Sequence, residues 1–123
     1  MAVQALSSRI FNAAQYFQPV EGEPIRSVVV ETAEAAIIAW YLLPGQEIAP
    51  HIHPHGQDSW TILQGEGLYY LSASEQHPVA AGDVTIAPVG QIHGVRNTGI
   101  EPLILISTVT PSEAGYLPIA MVS

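Results

Sequence analysis

From residue 25 onward, apolar and polar positions alternate in short runs. Glycine or proline breaks these runs at intervals of roughly eight to twelve residues, the spacing of a sandwich or barrel. Strands are predicted over Ile25–Thr32, Ala35–Leu43, Glu47–His53, Asp58–Leu63, Leu68–Ser72, Gln76–Ala80, Asp83–Ala87, Ile92–Asn97 and Pro102–Thr110. Pro44-Gly45, Pro54 to Gln57 and Gln64 to Gly67 read as the connections between them. The run Ala35–Leu43 is apolar on both faces, so it is expected to be a central strand or to bury its outer face on a partner. Residues 5–17 place Leu6, Ile10, Phe11, Ala14 and Phe17 at roughly helical spacing, as a short helix or an arm; residues 18–24 form a loop. The last segment carries Tyr116, Leu117, Ile119, Met121 and Val122, too apolar for a free tail. The expected plan is an arm over 1–24, an all-β jelly-roll barrel over 25–110, and a segment over 111–123 packed on the barrel or on a dimer partner.

The polar positions inside this pattern are unusual in one stretch, Gly45 to Gly65. His51, His53 and His55 occupy every second position, and Asp58 follows. Alternation along a strand sends His51 and His53 to one face. Two imidazoles on one face, with a carboxylate arriving from the strand that follows, make a nitrogen-and-oxygen metal site. His93 lies in a second stretch, Gly82 to Asn97, which Pro88 and Gly90 punctuate. Asp58 is expected at the start of the antiparallel return strand.

Together the two stretches resemble the cupin family. Its first motif is a glycine, five residues, H-x-H, three or four residues, a glutamate, six residues and a glycine. Gly45, His51, His53 and Gly65 match it, with Asp58 in the glutamate's place. The second motif is matched throughout by Gly82, Pro88, Gly90, His93 and Asn97. The resemblance implies a barrel with a metal inside its mouth, held by His51, His53 and His93, with Gly82, Pro88 and Gly90 turning the chain so that His93 closes the site from across the barrel. The fourth position stays open. Aspartate is one methylene shorter than glutamate, ~1.5 Å less reach, and Gln57 stands at the motif's other permitted spacing. The ion implied is a divalent transition metal: Fe, Mn, Ni, Cu, Co or Zn.

Around this set, Trp60 and Ile62 share parity with Asp58 and are expected on the cavity wall. His55 and Tyr69 are the candidates for acid–base work, His55 being otherwise a solvent-exposed or supporting residue. His77 and Arg96 are expected to face outward. Pro102 to Thr110 offers no titratable group, which counts against the uronate-ring-opening chemistry of related cupins. The remaining readings are a metal-dependent oxygenase, lyase or isomerase acting on a small polar molecule, a non-catalytic sensor or storage protein, or a barrel whose metal is structural and whose main activity is dimerisation.

Composition narrows the partners. Eleven acidic residues stand against three basic ones, Arg9, Arg26 and Arg96, for a formal charge of −8. Nucleic acids and anionic membranes need clustered cations, so neither is an expected partner. The chain has no cysteine, which removes thiolate ligands and suits a cytoplasmic setting. No apolar run reaches the ~20 residues of a membrane span. The surplus of apolar sequence points to a homodimer.

Overall fold

A computed structural model describes residues 8–122. Ten strands follow a single 3-10 turn: β1 (Ser27–Glu31), β2 (Ala36–Leu42), β3 (Glu47–Ile52), β4 (Gln57–Gln64), β5 (Glu66–Tyr70), β6 (Gln76–Ala80), β7 (Val84–Ala87), β8 (His93–Asn97), β9 (Leu103–Thr110) and β10 (Leu117–Pro118). They form two five-stranded antiparallel sheets, ordered β1-β2-β9-β4-β7 and β10-β3-β8-β5-β6. This is the expected all-β jelly roll. Alternation along β9 buries Leu103, Leu105, Ser107 and Val109 between the sheets. Leu103 and Leu105 meet Leu42, Ile62 and Trp60 from their own sheet, with Val95 and Tyr69 from the opposite one.

Helical spacing over 5–17 gives no α-helix in the described part. Only Ala13–Gln15 turns, capped by Asn12, and residues 5–7 lie outside the described residues. The segment is an arm instead. Its Phe17 ring lies 6.4 Å from Tyr41 of β2, so the chain's own arm covers part of that strand's second apolar face. Gln46 anchors the loop between this arm and β1. Its side-chain amide donates to the carbonyls of Val20 (2.7 Å) and Gly22 (2.8 Å), while its oxygen accepts from the Leu43 amide. These bonds set Glu23, Pro24 and Arg26 at the rim of the interior cavity.

Two motif residues owe their identity to backbone demands. Gly65 has φ +86°, and a Cβ there would lie 2.4 Å from the Pro102 carbonyl oxygen. Asn97 is buried, and its amide donates to the carbonyls of Leu42 and Glu101 while its oxygen accepts from the Gly99 amide. It ties the ends of three strands together.

Candidate metal centre

β3 does not run as a plain strand. It pairs with β8 as Ile48↔Val95 and then His51↔His93, so one extra residue is bulged out near Ala49 and Pro50. Ile48 and His51 have opposite parity, yet the bulge turns both inward, and both are buried. A proline is tolerated at such a position because the ladder bond there is already missing. The bulge also frees the Ala49 carbonyl, which accepts from His51 Nδ1 at 2.7 Å.

The same device recurs at each imidazole. His53 Nδ1 donates to the Gly115 carbonyl at 2.6 Å, and His93 Nδ1 to the Gln91 carbonyl at 3.1 Å. A carbonyl only accepts, so each Nδ1 carries a hydrogen, and in the neutral ring each Nε2 keeps its lone pair. The three rings pack with centroids 4.1 to 5.0 Å apart. Asp58 completes the group, and one ligand-type atom from each of His51, His53, Asp58 and His93 lies within 4.8 Å of all the others.

Asp58 is buried. Its Oδ2 lies 3.0 Å from His93 Nε2 and 3.4 Å from His53 Nε2, and its Oδ1 accepts from Ser107 Oγ at 2.6 Å. Burial alone would raise its pKa. The His53, His93 and Ser107 contacts outweigh that and hold the carboxyl well below the usual range. His51 is lowered to about 4, chiefly by burial and then by the neighbouring His93, so it is neutral at pH 7. His53 also feels burial, but Asp58 and the Gly115 carbonyl raise it on balance, against an opposing push from Arg26. His53 Nε2 is buried and makes no hydrogen bond. Lone pairs on imidazole and carboxylate facing one another repel unless a proton or a cation lies among them. The donor set therefore fits a divalent transition ion, with supporting carbonyls of the kind that orient metal-bound histidines.

Two spatial expectations are corrected. Asp58 is not on a strand paired with β3: β4 belongs to the other sheet, and Pro54 to Gly56 turn a corner between sheets rather than a hairpin. His93, expected from across the barrel, is the direct cross-strand partner of His51. His51 and His93 thus stand side by side on one sheet, His53 lies just past the end of β3, and the carboxylate meets them from the other sheet.

Gln57 is exposed, paired through its backbone with Thr110, and outside the cluster. His55 is exposed and does not line the cavity. Tyr69 is buried edge-on to Trp60 in the core, also away from the cavity, and burial pushes its phenol up to about 12. Arg96 and His77 face outward. Trp60 lines the cavity as expected, whereas Ile62 lies deeper in the core.

Sequence reasoning passed over Ser107 as a site residue. The signal was there: it is the one polar residue among the inward positions of β9. Removing its hydroxyl strands Asp58 Oδ1. Ser107→Ala is expected to cost about 1–3 kcal/mol in urea unfolding of the metal-free protein.

The cavity holds about 190 Å³ and opens between the sheets. Its polar wall is the His51–His53–Asp58 side with Ser107; its apolar wall is Ile38, Trp40, Ile48, Trp60 and Val109. Among the described residues, Arg26 is the only arginine or lysine at the cavity.

Residues 39–109, more than half of the chain, match the family model described as a cupin domain. The chain is a cupin. A solved structure of an uncharacterized conserved protein with a double-stranded beta-helix domain from Klebsiella pneumoniae subsp. pneumoniae is 48% identical. It superposes with a TM-score of 0.88 over 91% of this chain and 97% of that one. The oxalate-binding protein of Thermotoga maritima is 31% identical over 68 residues, 55% of each chain. Germin-like protein 4-1 of rice (Oryza sativa subsp. japonica) is 30% identical over 86 residues, 63% of this chain and 34% of the relative. This cupin thus spans between about a third and about half of the length of these two curated relatives. Among the described residues no helix is long and apolar enough to cross a membrane.

Proposed function

We propose that this cupin is a metal-dependent enzyme, of the oxygenase, lyase or isomerase kind, acting on a small carboxylate-bearing molecule. One observation carries the reading. Four acceptor groups, from His51, His53, His93 and Asp58, converge within 4.8 Å at the wall of an apolar cavity. A divalent ion bound there supplies Lewis-acid or redox chemistry.

The chain's own residues account for the remainder. Nδ1 bonds hold the three imidazoles in the ligating tautomer. Arg26, with no hydrogen bond or ion pair of its own among the described contacts, offers its guanidinium to an anionic group at the rim. Of the two glutamates at the same cavity, Glu47 is engaged by the Tyr70 hydroxyl at 2.6 Å, and Glu23 sits on the exposed arm. The Trp60 indole N–H is buried without a partner and remains available as a donor. A volume of about 190 Å³ is below the ~300–1,000 Å³ of pockets that hold drug-sized ligands, which favours a smaller molecule. The name of the Thermotoga relative supports the same ligand class.

The test titrates cobalt-loaded protein with small mono- and dicarboxylates, oxalate included, and with neutral polyols, by calorimetry. Binding of the acids, weakened about tenfold or more in Arg26→Gln, is expected. Binding of the polyols alone rejects the substrate class. Oxygen consumption and product analysis then decide between turnover and the second reading, a non-catalytic sensor or storage protein. That reading draws on the wall itself, which beyond the cluster is largely apolar and includes neither His55 nor Tyr69.

We also propose a cytoplasmic homodimer. Leu63, Val84 and Ile86, on neighbouring β4 and β7, are exposed. Light scattering at a monomer mass rejects the dimer.

A further inference from the structure

A short segment follows β9 and returns to the mouth of the barrel, where β10 pairs with β3. We infer that the segment Ala114–Pro118 is a working part of the metal centre, positioning His53 through the Gly115 carbonyl and His51 through the Tyr116 ring. It rests on the metal reading, and it adds that the segment and the ion stabilise each other.

The segment is seated by specific contacts. Ala114 is buried with Ala36, Ile38 and Val109. It lies against Gly56, where a Cβ would come within 2.4 Å of the Ala114 Cβ. The His55 amide donates to the Ala114 carbonyl at 2.8 Å, and the Ile119 amide to the Pro50 carbonyl at 3.0 Å. Between these bonds β10 pairs Leu117 with Ile52 and Pro118 with His51. Gly115, at φ +78°, turns its carbonyl onto His53 Nδ1 at 2.6 Å. Tyr116 then lies over His51, with ring centroids 5.0 Å apart and planes at 30°. Tyr116 is 57% exposed, so its position owes more to that ring contact than to burial.

The two histidines therefore take their orientation partly from outside the barrel. His51 has a support of its own in Ala49, but the acceptor for His53 Nδ1 is Gly115. If the segment lifts, that ring is released from its tautomer and its rotamer. A two-residue ladder at a sheet edge is among the least stable elements of such a fold, so lifting is the low-energy opening. Coupling is reciprocal: whatever factor the seated segment adds to metal affinity, bound metal adds to the seating of the segment.

The experiment monitors Co2+ binding to the full chain by its visible absorption, in competition with a chelator. Gly115→Ala strains the positive φ and places a Cβ 3.2 Å from Pro54 Cδ, displacing the carbonyl. It is expected to weaken Co2+ about tenfold to a hundredfold and to alter the spectrum. Tyr116→Ala is expected to weaken it about fivefold, and Tyr116→Phe to stay within about twofold of wild type. Hydrogen exchange gives a readout without any variant. Saturating Co2+ is expected to slow the His55 and Ile119 amides more than the Leu71 amide, which bonds to Glu75 in the connection between β5 and β6. Wild-type Co2+ affinity in both Gly115→Ala and Tyr116→Ala, with no selective slowing, overturns the inference and leaves the metal reading standing. Failure of the wild type to bind Co2+ overturns both. If Gly115→Ala does not fold, Tyr116→Ala and the exchange pattern decide.

Discussion

His51→Ala combined with His93→Ala is expected to purify without a transition metal, and the wild-type chain with about one ion per chain. The two residues are the cross-strand pair at the heart of the cluster, with rings 4.1 Å apart, so their loss removes half of the donors at once. Two remaining donors, His53 and Asp58, are too few to retain an ion through chromatography. Elemental analysis measures the loss directly. Thermal melting gives an independent reading. At a thousandfold excess over Kd, a bound ion adds about 4 kcal/mol to the wild type. For a domain of this size that is a rise of roughly 10–20 °C. The double variant is expected to show no such rise, while keeping its far-ultraviolet dichroism, because the sheets are held by Leu42, Ile62, Leu103 and Leu105 deeper in the barrel. A wild type without metal after reconstitution, or a double variant that still loads it, rejects the centre.

The second large effect is acid lability of the metal-free protein. His51 titrates near 6.5 in an unfolded chain and near 4 in the fold. Between those values the unfolded chain binds more protons, so folding stability falls as the pH falls through that window. The loss is on the order of 3 kcal/mol when His51 is forced to charge. Asp58 adds to it further down. Its folded pKa is depressed, so its contribution is complete above the ordinary carboxylate range and fades below it. His53 works in the opposite sense. Its folded pKa is raised, so its contribution is present below 6.5 and declines as the pH rises past it. Urea unfolding in chelator from pH 7 to pH 4.5 is expected to show a net decline, and His51→Gln is expected to flatten it. A stability that stays level in the wild type would mean that His51 is not held neutral by its surroundings.

The order of strands and the donor set were legible because both rest on side-chain pattern. Alternation in Leu103 to Thr110 identifies a buried-face strand, and nine predicted runs correspond to β1 to β9 within a few residues. The pairing of those strands was less legible. Pro54 to Gly56 has the length of a hairpin turn, and nothing local distinguishes a hairpin from a corner between sheets. Only the partners of β4, which are β7 and β9, do so. The carbonyls of Ala49, Gln91 and Gly115 were invisible for a different reason. They are backbone atoms, and their placement depends on a bulge, a turn and a crossing segment rather than on residue type. β10 is a two-residue ladder, and its Leu117 remains half exposed, so hydropathy marks it as apolar sequence without marking it as a strand.

The chain has two tryptophans, Trp40 and Trp60, and both line the cavity. Trp60 is almost fully buried, with its ring 5.7 Å from His93. All tryptophan fluorescence from this protein therefore originates at the cavity wall. A paramagnetic ion at the cluster would quench it, and a molecule entering the cavity would displace solvent from the Trp40 side and shift its colour. The protein supplies its own optical gauge of occupancy, and a simple emission titration, with no label and no known substrate, can screen ions and small acids alike.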